Sequence, residues 1–211
     1  MSSKTISREK KVILAAKAVS IFFTPFYLPL VGMMVLFVFS YLNLLPWAYK
    51  LMVLIMVYFF TILLPTLLIH LYRRAQGWTL IELGVRERRM VPYAISIVCY
   101  LCCVYLMQML HMPHFMGALV VGALVVQVVC AMINVVWKIS THMAAIGGLT
   151  GGLFVFGELF SFNPVWWIAA TLLVAGVLGS SRMILRQHTL PQVVGGFAVG
   201  LVCAVASIVL Y

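Results

Sequence analysis

The sequence predicts an all-α integral membrane protein, a polytopic helical bundle of six or seven transmembrane helices forming a single domain over residues 1–211. Three observations predict it. Of the 211 residues, 65% are hydrophobic and 9% are charged, against roughly 45–50% and about 25% in a soluble domain. A water-soluble chain of this length could not hide so much apolar surface in one core. Several apolar runs exceed the roughly 18 residues that a bilayer-spanning helix needs. Open backbone in lipid would lose its hydrogen bonds, so the runs are helices. A soluble enzyme, a disordered tail and a secreted disulfide scaffold are excluded at this step.

The spans fall at about 19–42, 49–71, 92–110, 115–136, 143–160, 165–180 and 190–210. A basic stretch (Lys4, Arg8, Lys10, Lys11, Lys17) leads into the first, which holds Pro25 and Pro29 and lacks a small-residue cleavage site. It therefore reads as a span and not as a cleaved leader. The third, fourth and seventh carry the five cysteines (Cys99, Cys102, Cys103, Cys130, Cys203), read as buried small hydrophobes. The C-x-x-C of Cys99 and Cys102 has no redox or zinc module around it. Glycines 147, 148, 151 and 152 in the fifth span, and Gly196 with Gly200 in the seventh, recur at the spacing of close helix contacts. The sixth is short, with Trp166 and Trp167 at its start as interfacial anchors.

Fourteen Lys and Arg face four acids, Glu9, Glu82, Glu87 and Glu158, and there is no Asp. Carboxylate pairs, two-metal clusters and calcium loops need several carboxylates together, so neither a metal site nor a cofactor is expected. In so apolar a chain the net charge of +10 serves anionic headgroups or lipid phosphates and not nucleic acid. Counting turns by side, thirteen of the fourteen cations fall with the N-terminus; Lys50 alone falls opposite. That polar side is where chemistry is expected.

Three segments meet there: Arg86-Glu87-Arg88-Arg89-Met90-Val91-Pro92, preceded by Arg73-Arg74; Lys138-Ile139-Ser140-Thr141-His142, opening the fifth span; and Ser181-Arg182-Met183-Ile184-Leu185-Arg186-Gln187-His188, followed by Gln192. Ser140 can cap the fifth helix, setting its free N–H groups and positive dipole end beside His142, a setting that binds phosphate well. His188 and Gln192 are four apart and share a face if their helix starts early enough. Other polar residues read more plainly. Arg73, Arg74 and Arg88 fit topology determinants, His70 an amphipathic interface residue, and Glu158 a packed or snorkelling acid. His111 and His114 form an H-x-x-H on the opposite side with no third ligand.

Ser181-Arg182-x5-His188-x3-Gln192 resembles the third signature of the phosphatidic acid phosphatase type 2 / haloperoxidase superfamily, S-R-x5-H-x3-D. Ser140-Thr141-His142 looks like its second, P-S-G-H, with Ile139 for the Pro and Thr141 for the Gly. Arg86–Pro92 is a loose counterpart of its first, K-x6-R-P, without the Lys at the expected spacing, so Arg86 and Arg89 stand as candidates. The resemblance covers residues 86–200. It implies that family's core and a metal-independent phosphatase of the bacterial inner membrane. The lipid phosphate would be phosphatidic acid, phosphatidylglycerol phosphate, polyprenyl diphosphate or a lipid A phosphate. Carried over, His188 attacks phosphorus and forms a phosphohistidine. His142 protonates the leaving alcohol and then activates water. Arg182, Lys138 and one or both of Arg86 and Arg89 clamp the oxygens, with Ser181, Ser140, Thr141 and backbone N–H groups.

Gln192 stands where the family has the Asp that orients the nucleophilic histidine and stabilises its charge. A Gln carbonyl orients the ring and adds no charge. Two readings stay open: a working phosphatase, or a non-catalytic lipid-phosphate binding or transport protein that has lost turnover. The positive-inside rule puts the motif-bearing side in the cytoplasm, while many relatives act on the outer face. Lys4, Arg8, Lys10, Lys11, Lys17, Arg73 and Arg74 remain after the motif cations are set aside, and they favour the cytoplasm.

Overall fold

The computed structural model describes residues 3–77 and 87–211, with side chains described from Glu9 in the first stretch and from Arg88 in the second. Among the described residues every regular element is helical. Seven helices are long and apolar enough to cross a membrane, as expected of a helical integral membrane protein.

The first candidate span is jointed. Helix α1 (Ser3–Phe22) and helix α2 (Leu28–Phe39) are separated by a short 3-10 turn at Pro25–Tyr27. Thr24 precedes Pro25 and is extended, with ψ 136°, because the proline ring clashes with a helical residue before it. The twelve residues of α2 rise only about 18 Å, short of the roughly 30 Å hydrocarbon core. The first span, expected at about 19–42, is thus built of two helices with a proline joint and runs over Glu9–Phe39. Helix α3 (Trp47–Tyr58) and helix α4 (Leu64–Ala75) build the second span around a π-turn at Phe59–Leu63. Pro65 brings no N–H and crowds the carbonyl of Thr61, and a π-turn absorbs that defect.

Five continuous helices follow: α5 (Met90–Met109), α6 (His114–Val136), α7 (Thr141–Leu159), α8 (Val165–Ile184) and α9 (Leu190–Leu210). Their outer faces carry large apolar side chains, such as Leu173 at 74% exposure and Trp166 at 83%, a surface suited to lipid and not to water. The five cysteines are free, and only Cys99, Cys103 and Cys130 are buried. Cys102 is exposed and Cys203 half-buried, so the expectation of five buried cysteines is corrected for these two.

Helices α7 and α9 touch backbone to backbone. A Cβ on Gly200 would collide with the Ala144 carbonyl, and one on Gly147 with that of Phe197. A Cβ on Gly196 would come within 2.7 Å of the Ser140 oxygen. Glycine is required at these positions by the closeness of the neighbouring helix. Gly148 and Gly152 face the same helix less closely: a Cβ on Gly148 would stand 3.6 Å from the Gly200 carbonyl oxygen, and one on Gly152 3.6 Å from Ile208 Cδ1, both ordinary contacts.

Candidate functional site

The close pair α7–α9 brings the Ser140 and Gln192 segments together at their N-terminal ends. The Ser140 N–H donates to the Gln192 carbonyl at 3.4 Å, joining the two helix starts by their main chains. The third contributor is the end of α8. There the Gln187 N–H reaches back to the Arg182 carbonyl (3.1 Å) and the Arg186 N–H to that of Met183 (2.9 Å). Arg186 takes a left-handed conformation, φ 52°, completing a Schellman stop. The stop reverses the chain, leaving Arg182 and His188 buried at 9% and 6% exposure.

Helix α9 starts with a capping box. Thr189 is the N-cap, its hydroxyl takes the Gln192 N–H, and the Gln192 side chain returns to the Thr189 N–H. His188 therefore precedes the helix, and the expectation that it shares a helical face with Gln192 is corrected. The two meet because the capping box folds Gln192 back over the start. One oxygen does both jobs: Gln192 Oε1 accepts from Thr189 N–H at 3.2 Å and lies 3.2 Å from His188 Nδ1. The Thr189 N–H can only donate, so the atom facing it is the amide oxygen. That oxygen can only accept, so the proton of neutral His188 sits on Nδ1 and Nε2 carries a free lone pair.

His142, on the first turn of α7, is fixed from the other side. Its Nε2 lies 3.2 Å from the Ser20 carbonyl on α1, which makes Nε2 the protonated nitrogen. Its Nδ1 is sealed from solvent with no hydrogen-bond partner. Ser20 lies 122 residues before His142, and no pattern in the sequence connects a main-chain carbonyl to a ring so distant.

Around these rings stand three cations. Arg89 donates to Thr141 Oγ1 (3.1 Å) and to the Ile139 carbonyl (3.4 Å), tying the start of α5 to that of α7. Arg89 and Arg182 both act on Lys138, whose ammonium is pushed below its ordinary range by burial first and by those two charges next. His188 is pushed down to about 3 by burial, then by Arg89, Arg182 and Lys138; the Gln192 hydrogen bond opposes this. The imidazole is therefore neutral at neutral pH. Of the acids whose side chains are described, Glu158 lies near the opposite end of α7 and Glu9 on α1.

Two further polar atoms are buried without partners, Arg182 Nε and Ser140 Oγ. Ser140 is the N-cap of α7 as expected, yet its side chain caps nothing, so both its hydroxyl and the first N–H groups of the helix are unspent. Ser181 is buried, with its hydroxyl given to the Val177 carbonyl at 2.8 Å. Arg86 lies outside the described residues. Lys138, Ser140, Thr141, His142, Arg89, Arg182, His188 and Gln192 thus belong to one neighbourhood. The arrangement is suited to an anion with several acceptor oxygens, facing a neutral imidazole nitrogen.

Comparison with protein-family models, with curated proteins and with solved structures finds no match for the chain. The fold defines a helical membrane protein with seven candidate spans.

Proposed function

We propose that the chain is a metal-independent phosphatase of the phosphatidic acid phosphatase type 2 kind, acting on a lipid phosphate whose chains stay in the membrane. One observation carries this reading. The Gln192 oxygen that closes the capping box also holds His188 in the tautomer with a free Nε2, beside the three cations Arg89, Arg182 and Lys138. Nε2 attacks phosphorus and the bond from phosphorus to the leaving oxygen breaks. His142, having taken up a proton on Nδ1 with the dianionic substrate, passes it to that oxygen. The neutral Nδ1 then takes a proton from water as the water attacks the phosphohistidine, freeing His188 and phosphate. Arg182, Lys138 and Arg89 carry the charge of the non-bridging oxygens, with the Ser140 hydroxyl and the first N–H groups of α7.

The reading places the protein in a bacterial inner membrane with the site on the cytoplasmic side. The absence of a charge on Gln192 favours a second reading, a lipid-phosphate binding or transport protein without turnover. Phosphate release from purified protein, with chelator present, separates the two. The phosphatase reading expects release from at least one of phosphatidic acid, phosphatidylglycerol phosphate, polyprenyl diphosphate and lipid A. It also expects loss of release in His188→Ala with lipid binding retained. Saturable binding without release supports the second reading. Full activity in His188→Ala refutes the mechanism.

A further inference from the structure

Helix α1 stops at Phe22, three residues before Pro25, which denies Thr24 a helical conformation. The last carbonyls of a helix must find partners outside its regular ladder. The Val19 carbonyl still takes the N–H of Phe23, four residues on, at 3.0 Å. The Ile21 carbonyl faces a proline that has no N–H, and it takes the Thr24 hydroxyl instead, at 2.6 Å. Between them, the Ser20 carbonyl faces His142 Nε2 at 3.2 Å. The N–H that would take it in a continuing helix is that of Thr24, which lies outside α1. Packing fixes this helix end in place. Ala16 and Ser20, one turn apart, are buried, and Val19 and Phe23 pack into the cluster that holds Met143 and Ile146 of α7 and Leu178 of α8.

The charged and titratable groups that face His142 are Arg182 of α8, Arg89 at the start of α5 and His188 before α9; Lys17 of α1 is exposed. Two of the three are permanent cations, so a proton added to His142 needs a negative partner. The carbonyl end of a helix carries about half a negative charge, and that of α1 is turned to the ring. Resting on the reading of His142 as the acid of a lipid-phosphate phosphatase, we propose that α1 is a working part of the site and Pro25 a positioning residue. The stop at Pro25 leaves the Ser20 carbonyl to His142, where it fixes one proton on Nε2 and supports the positive charge of the ring when Nδ1 is protonated too. Nδ1, the buried nitrogen without a partner, then does all the proton transfer. It gives a proton to the leaving oxygen as the bond to phosphorus breaks, and takes one from water as the water attacks the phosphohistidine, while Nε2 keeps its own.

The test replaces the Ser20–Ile21 amide of the full-length protein with an ester, which keeps every side chain and makes the Ser20 carbonyl a weaker acceptor. An ester at Leu14–Ala15, on an exposed stretch of α1, is the control, since it too removes one helix N–H. In protein carrying isotope-labelled histidine, the magnetic resonance signal of the His142 Nε2 proton is assigned by its loss in His142→Asn. That proton should exchange with water about fivefold faster in the Ser20–Ile21 ester, as expected for one weakened hydrogen bond. In the same ester, kcat/KM for phosphatidic acid, whose alkoxide leaving group needs an acid, should fall about tenfold. That for para-nitrophenyl phosphate, whose phenolate leaves without one, should change by less than about twofold. Pro25→Ala, which opens the Thr24 N–H to the Ser20 carbonyl, should show the same split. A His142 signal that responds no more to the Ser20–Ile21 ester than to the control overturns the proposal, as do equal losses with the two substrates. Faster exchange in a protein that releases phosphate from none of the lipids named above upholds the hold of α1 on His142 and defeats the phosphatase reading. Hydrolysis that requires His188, with both readouts unmoved by the ester, does the reverse.

Discussion

Glu and Gln are the two residues that close a capping box at the third helical position, so Gln192→Glu should keep the start of α9 and the hold on His188 while adding a charge. The new carboxylate would lie where Gln192 Oε1 now lies, 3.2 Å from His188 Nδ1. Two unit charges centred about 4 Å apart interact by about 4 kcal/mol at an effective dielectric constant near 20. If half of the imidazole's positive charge has developed in the transition state, the gain is about 2 kcal/mol, or about thirtyfold in kcat. The same carboxylate repels a dianionic substrate, so KM should rise and kcat/KM should gain less than kcat. The pH profile carries the second reading. His188 in the native protein is held down to about 3 by burial and three cations, so acid does not protonate the nucleophile until far below neutrality. A neighbouring carboxylate raises that value, and the rate must then fall as pH falls through it. The ratio of variant to native kcat/KM should decline from about pH 8 to about pH 5; the substrate's own ionisation near pH 6 cancels in the ratio. Phosphate release measures both effects. A tenfold drop in kcat in a variant with unchanged thermal midpoint would refute the orientation argument. Gln192→Asp is the control: one methylene shorter, it cannot hold the box and His188 together, and it should cost about 1 kcal/mol of cap stability.

Two further outcomes are expected. Gly200→Ala drives a methyl into the Ala144 carbonyl and should cost about 3 kcal/mol, lowering the thermal midpoint by roughly 6–12 °C, whereas Gly152→Ala should leave it nearly unchanged; equal midpoints would mean that α7 and α9 are not in backbone contact. In a cysteine-free background, an impermeant thiol reagent applied to intact cells should label Asn163→Cys readily and Gln187→Cys only after lysis, and the opposite pattern would put the candidate site on the outer face.

The helices were readable because the membrane demands long apolar runs, and the spans lie close to their expected places except the first, which begins at Glu9 and not near residue 19. What composition did not give is where a span breaks. Pro25 and Pro65 were in plain view, yet one makes a 3-10 joint and the other a π-turn, because the surrounding packing decides which defect is cheaper. The glycines show the same limit. Spacing marks Gly147, Gly148, Gly151 and Gly152 as one contact face, but a helix turns 100° per residue, so Gly147 and Gly151 meet the α9 backbone at a distance only glycine allows while Gly148 and Gly152 meet the same helix at ordinary contact distance. In the candidate site, His188, His142, Arg182 and Arg89 were visible as types at a spacing. Thr189-x-x-Gln192 was a legible capping box that explains the meeting of His188 with Gln192 better than a shared face does. Ser20 was not legible at all, since its contribution is a main-chain carbonyl delivered by the jointed first span.

On the proposed phosphatase reading, the uncharged Gln192 poses an electrostatic problem that the neighbouring cations resolve in two stages. Before a phosphate arrives, burial first and then Arg89, Arg182 and Lys138 oppose any positive charge on His188 and keep its Nε2 free. They also form the charge that an anionic headgroup seeks. Once a dianionic phosphate sits among them, its charge offsets the part of that opposition that the cations supply. Positive charge developing on the ring during attack is then opposed less, and the substrate supplies the compensation that an Asp supplies elsewhere. Gln192 is left with the task its geometry suits, fixing the proton on Nδ1 through an oxygen already anchored by the Thr189 N–H. On this account the nucleophile is poised in the empty site and gains its electrostatic support only with substrate bound. Removing one cation, Arg182 above all, should therefore weaken both binding and attack, whereas removing the amide of Gln192 should disturb orientation alone.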